Sequence, residues 1–169
     1  MTTLAFTQQL ARRVGALLQR EQARATYGYK HRNPKDWVSE VDTLSERTIV
    51  RAISRVYPAH GVLSEEAGLV RRGTSEYRWL IDPIDGTGNY VKGWPYYAVS
   101  LGLMRNGEPS LGVVYNPVSG ELFWAEPGSL PQRQAYCGVN PQHTSSRFGC
   151  YGVWFQAHSP APAGSACVR

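Results

Sequence analysis

The chain has 169 residues, 42% of them hydrophobic and 18% charged, a length and balance that suit one globular domain with its own core. No apolar run approaches the length of a membrane span, and the start Met1-Thr2-Thr3-Leu4 lacks the basic region and apolar stretch of a secretory leader. A net charge of +5 is modest for this length, and the basic residues form no stripe with interleaved aromatics, which argues against a nucleic-acid partner while leaving a field that can draw small anions.

In chain order, Leu10, Val14, Leu17 and Leu18 recur at helical spacing and predict a first helix over residues 4 to 24. A second is predicted over residues 39 to 56, with Val41, Leu44, Ile49, Ile53 and Val56 as apolar positions, Ser39 as N-cap and Pro58 just beyond its end. Asp42 then falls in the first turn, where the helix dipole favours an acid. Gly61-Val62-Leu63-Ser64 reads as a short strand that delivers Glu65 and Glu66 at its end, with Glu66 on a solvated face. Trp79-Leu80-Ile81 reads as a buried strand that Asp82 ends. Val99, Leu101 and Leu103 alternate with small residues, Asn106-Gly107 makes a hairpin turn, Leu111 to Tyr115 returns, and Ser119-Gly120 turns into a strand over Leu122 to Ala125.

The densest chemistry lies at Asp82-Pro83-Ile84-Asp85-Gly86-Thr87-Gly88-Asn89. Pro83 fixes φ and delays any helix, so Asp85-Gly86-Thr87 forms the mouth of a following one. Two carboxylates on such a corner can converge on hard cations, while the Gly86 and Thr87 amides face an anion. The plainer alternative is that Asp82 and Asp85 cap a helix and no more. Glu65 shares with Asp82 a place at the carboxyl end of a strand, where neighbouring parallel strands can gather acids around one ion. Cys137, Cys150 and Cys167 show no metal-ligand spacing and read as free thiols of a reducing cytoplasm. His31, His60, His143 and His158 form no ligand pair and read as surface or loop residues.

Four blocks in order give the chain a resemblance to the inositol monophosphatase family of lithium-sensitive, magnesium-dependent sugar-phosphate phosphatases. They are Asp36-x-Val38-Ser39-x-x-Asp42, Ser64-Glu65-Glu66, the run from Trp79 through Asp82-Pro83-Ile84-Asp85-Gly86-Thr87 to Asn89-Tyr90, and the strands from Gly93-Trp94-Pro95 to Glu121-Leu122. Over residues 1 to 128 the resemblance implies an α/β (α+β) chain: the N-terminal half of a layered αβαβα fold, with two helices packed on a largely antiparallel sheet. It implies two or three Mg²⁺ ions per intact site, one on Glu65, Asp82 and the Ile84 carbonyl, a second shared by Asp82 and Asp85, and a weaker third at Asp36. Glu65 and Thr87 match the pair that positions and deprotonates the attacking water, with Asp42 orienting the Thr87 hydroxyl, and the phosphate sits at Asp85, Gly86 and Thr87. A lysine that the family carries before the Asp36 block has three claimants here, Lys30, Arg32 and Lys35. At position 90 this chain has Tyr where the family has Phe.

The implied reaction is hydrolysis of inositol monophosphate or another small sugar or alcohol phosphate by metal-activated water. The same motifs serve 3′-phosphoadenosine 5′-phosphate, fructose 1,6-bisphosphate and histidinol phosphate. The intact family member is expected to be a cytoplasmic homodimer. Beyond Pro127 the composition shifts to Pro, Gly and Ser, and no Asp or Glu follows Glu126. Residues 129 to 169 are therefore expected to be a poorly ordered tail in place of the family's second half, whose W-D-x-A motif supplies another metal-binding acid. The competing expectation is a catalytically inactive fragment that binds a metal or a protein.

Overall fold

Helix α1 (Thr3–Glu21) begins where the Thr2 hydroxyl accepts the Ala5 N–H at 3.2 Å, and it passes into a 3₁₀ turn over Gln22–Arg24. Phe6, Leu10, Ala11, Val14 and Leu18 form its buried stripe. Gly15 lets it lie against the sheet, since a Cβ there would stand 2.6 Å from the Tyr115 ring and 2.9 Å from Pro117. The computed structural model describes residues 1–24, 27–29 and 37–134; Asp36, Lys30, Arg32 and Lys35 lie outside them.

Two short strands, β1 (Tyr27–Tyr29) and β2 (Trp37–Ser39), pair antiparallel ahead of helix α2 (Glu40–Val56). Helix α2 buries Val41, Asp42, Ser45, Ile49 and Ile53. Leu44 and Val56, expected on that apolar face, are 43% and 45% exposed. At roughly 100° per residue Leu44 falls to one side of the stripe running from Val41 through Ser45 to Ile53, and Val56 is the helix's last residue.

The main sheet contains β3 (Gly61–Ser64), β4 (Gly68–Arg71), β5 (Tyr77–Asp85), β6 (Ala98–Arg105), β7 (Glu108–Tyr115), β8 (Leu122–Ala125) and β9 (Gln132–Gln134), in the order β4-β3-β5-β6-β7-β8-β9. Only β3 and β5 run parallel. The other neighbours are antiparallel, so the largely antiparallel sheet implied by the sequence is present. Asn106 and Gly107 both take positive φ, as the tight β6–β7 hairpin requires. Helix α1 packs on β6 and β7, and α2 packs on β5. Between these layers lie Trp79, Ile81, Val99, Leu101, Leu103, Leu111, Val113 and Leu122, each at most 5% exposed. Burying each such side chain contributes about 1.5–3 kcal/mol.

Strands β4 and β9 were not expected. The first offers only a four-residue edge with Leu69 and Val70 exposed, and the second carries the sheet past residue 128 by pairing Gln132–Gln134 with β8. The chain divides into a unit over Met1–Val139 and another over Asn140–Arg169, the latter outside the described residues.

Candidate active site

Glu65, just past the end of β3, stands beside Asp82 of β5. In the parallel β3–β5 pair Ser64 stands opposite Ile81, and the ladder continues one step as the Glu65 N–H donates to the Ile81 carbonyl at 3.0 Å. Glu65 opens the turn into β4 and is exposed, whereas Asp82 is only 6% exposed. Glu66, expected on a solvated face, is half-buried.

Strand β5 does not stop at Asp82 as the sequence suggested. It continues to Asp85 through a bulge, because Asp82 pairs with Ser100 and Asp85 with Ala98, so three steps on β5 face two on β6. A bulge is where a strand tolerates a proline, whose missing N–H is not needed in the ladder, and Pro83 sits there. The Asp82 carboxylate turns back within it to accept the Ile84 N–H at 3.1 Å. Neither aspartate caps the next helix, α3 (Thr87–Val91), whose N-cap is Gly86 with no side-chain capping bond. Gly86 has φ +90°, and a Cβ would stand 2.9 Å from the Tyr96 carbonyl, so both conformation and space call for glycine.

Thr87, at the first position of α3, holds its hydroxyl 3.0 Å from the Ile84 carbonyl and 3.3 Å from Asp42 Oδ1. Both neighbours accept only, so the hydroxyl proton points to one of them and the oxygen's lone pairs remain for another donor. Asp42, in the first turn of α2, is 2% exposed. One turn on, Glu46 accepts from the Ser64 hydroxyl in a short hydrogen bond, tying α2 to the strand that delivers Glu65. Sequence reasoning missed Glu46. Its signal was the i, i+4 spacing from Asp42, which sets both acids on one side of the helix.

Burial pushes the Asp82 carboxyl far above the ordinary carboxylate range, aided by the hydrogen-bonded, like-charged Glu65 and by Asp85, against a smaller downward pull from the Ile84 N–H. Asp85 is pushed up to about 6 by burial and by Glu65. Three carboxylates thus crowd one another where two strands end. Among the described residues no three His, Cys, Asp or Glu side chains converge closely enough to enclose a metal ion. As an all-oxygen, mutually repelling donor set they fit a hard divalent cation, which would relieve that crowding.

The geometry brings together Asp42, Glu65, Asp82, Ile84, Asp85, Gly86 and Thr87; Asp36 lies outside the described residues. The model of the inositol monophosphatase family matches residues 1–160. The chain belongs to that family. The match runs on beyond residue 128, where the recognisable motifs end. Among curated relatives, the Nus factor SuhB of Xylella fastidiosa is 46% identical over 94 residues, 56% of this chain and 34% of its own length. A fructose-1,6-bisphosphatase/inositol-1-monophosphatase of Thermotoga maritima is 40% identical over 129 residues, 76% of this chain and 49% of the relative. The crystal structure of SuhB from Bartonella henselae aligns with TM-score 0.73 at 32% identity, covering 84% of this chain and 56% of that one. The inositol monophosphatase family member described here thus spans about a third to a half of the length of the relatives it matches.

Proposed function

We propose that this chain carries the metal- and phosphate-binding half of a Mg²⁺-dependent phosphomonoesterase acting on inositol monophosphate or a related small sugar phosphate. The observation that carries the reading is the Thr87 hydroxyl, set between the acceptors Asp42 and Ile84 next to the crowded Glu65–Asp82–Asp85 carboxylates. Glu65, Asp82 and the Ile84 carbonyl would hold a first ion, Asp82 and Asp85 a second, and Asp36 belongs with a third. Bound there, divalent ions supply Lewis acidity toward the phosphate and lower the pKa of water to about 7.

The remaining work falls to the chain's own groups. Asp42 fixes the Thr87 proton, so the Thr87 oxygen accepts a hydrogen bond from the attacking water and orients it, while the Glu65 carboxylate takes up the water's proton. Gly86 and Thr87 turn their amides toward the phosphate at the start of α3, where Gly86's left-handed conformation sets the corner. Water attacks in line, and no side chain becomes phosphorylated. Inhibition by Li⁺, a cytoplasmic setting and a homodimer belong to this reading through the family. No described helix is long and apolar enough to cross a membrane.

A second reading is a metal-binding module without turnover, and the absence of any carboxylate after Glu126 favours it for the chain by itself. Assaying the 169-residue protein with inositol 1-phosphate and excess Mg²⁺, alongside Thr87→Ala, separates the two. Hydrolysis that drops at least tenfold in kcat in the variant, with little change in KM, supports the esterase. Mg²⁺ binding without hydrolysis supports the module. Absence of Mg²⁺ binding, or hydrolysis untouched by the substitution, overturns the site.

A further inference from the structure

At the opposite end of β3 and β5 from the carboxylates, His60 lies flat between two tyrosines. Its ring stacks on Tyr57 and on Tyr77, each with centroids 4.8 Å apart and planes 20° from parallel. Its Nδ1 is 3.1 Å from Nε1 of Trp79, a residue with no exposed surface. An indole nitrogen only donates, so Nδ1 must accept, and a neutral His60 carries its proton on Nε2. Phe6 closes on the edges of Tyr57 and Trp79, with centroids 5.1 and 6.1 Å away. His60 is a half-buried loop residue, within the surface or loop reading of the sequence, and from that loop it joins the end of α2 to β5 at the start of β3.

The cation of the neighbourhood is Arg71 of β4. Its Nε donates to the His60 carbonyl at 2.9 Å and its guanidinium to the Tyr57 carbonyl at 2.8 Å, so one side chain clamps the base of the β3–β4 hairpin whose far turn begins with Glu65. The other charges nearby are Arg105, 5.7 Å from the centre of the Tyr77 ring, and Glu76, which is engaged with Arg105. Among the described residues no carboxylate is bonded to the imidazole. A proton on Nδ1 would set two donors face to face, orphan the buried Trp79 N–H and add a positive charge beside Arg71.

The geometry points to His60 as a pH-sensitive latch that, when neutral, pins the base of the β3–β4 hairpin to Trp79 and, when protonated, releases it. Burial first, and Arg71 second, lower the His60 pKa from its ordinary 6.5. With the folded value below the unfolded one, the latch contributes fully above pH 6.5 and is lost as pH falls through the folded value. The latch does not depend on the hydrolytic reading.

NMR titration of the intact chain tests it, following the His60 Cε1–H and the Trp79 indole N–H together. Both should move with one midpoint below 6.5, and Arg71→Gln should shift that midpoint upward. Denaturant unfolding supplies a second measure. Relative to His60→Phe, which keeps a ring between the tyrosines, the wild-type folding constant should fall about tenfold for each unit by which the pKa is lowered, as pH drops from about 8 to about 5. A midpoint at or above 6.5, a Trp79 indole that ignores the His60 titration, or a wild-type-to-variant difference independent of pH would each overturn the latch. If His60→Phe fails to fold, the titration of the wild-type chain decides alone.

Discussion

Strand β5 does two different things along its nine residues. From Tyr77 to Ile81 it pairs regularly with β6 and packs Trp79 and Ile81 into the core, and the buried Trp79 indole N–H finds a partner in His60. From Asp82 to Asp85 the ladder breaks, a proline enters, and the buried Asp82 carboxyl is crowded by Glu65 and Asp85. The regular half obeys every local rule and holds the fold. The irregular half breaks them, and such departures collect where a protein binds or reacts.

The sharpest test of that division removes the anchor of the regular half. Trp79→Ala would empty a fully buried site against Phe6, Tyr57 and His60, and it should cost about 3–5 kcal/mol in denaturant unfolding. A loss under about 1 kcal/mol would mean that the aromatic cluster is peripheral to the core.

At the irregular half the sign should reverse. Asp82→Asn keeps an oxygen to accept the Ile84 N–H and removes a buried carboxyl that must take up a proton or bury its charge on folding, so in Mg²⁺-free solution at neutral pH stability should rise by about 0.5–2 kcal/mol. Added Mg²⁺ should raise the unfolding midpoint of the wild type, through binding to the folded state, and leave the variant unmoved. If the variant were less stable without Mg²⁺, the carboxylate would be a structural group and the contrast between the two halves would fail.

Much of this was legible beforehand because it follows local rules. The apolar periods placed α1 and α2, and Asn106-Gly107 placed the β6–β7 hairpin. The acids and the hydroxyl beside them also announced themselves, since Asp82, Asp85 and Thr87 lie close together in the chain and Asp42 sits at a helix start. What escaped depended on tertiary pairing. Pro83 argues for a strand end, and only the register with β6 shows a bulge that lets β5 run on to Asp85. Leu44 matches an apolar helical period yet points outward, while Ser45 takes the inward place. Glu46 offers only its i, i+4 spacing from Asp42 until Ser64 is brought to it, and nothing local to the loop residue His60 foretold the two tyrosines that stack on it.

The smallest expected effect lies where the two halves are joined to α1. Tyr90 of α3 is fully buried, stands edge-on to Tyr97 with centroids 5.0 Å apart, and donates its hydroxyl to the Leu18 carbonyl at 2.8 Å. Its own carbonyl accepts from Gln22 Nε2 at 3.0 Å, so the helix that opens with Thr87 is tied twice to the end of α1. Burial, with Tyr97, Asp42 and Glu21 nearby, pushes the phenol well above its ordinary pKa, which keeps it a donor throughout the working range. Tyr90→Phe preserves the ring. The Leu18 carbonyl keeps a second donor in the Gln22 backbone N–H, so no buried acceptor is orphaned. The loss should therefore be one net hydrogen bond, about 1 kcal/mol in unfolding free energy, with Mg²⁺ affinity unchanged. A cost beyond about 2 kcal/mol, or weakened Mg²⁺ binding, would show that the α1 tie shapes the acidic corner and that the two halves of β5 are not independent.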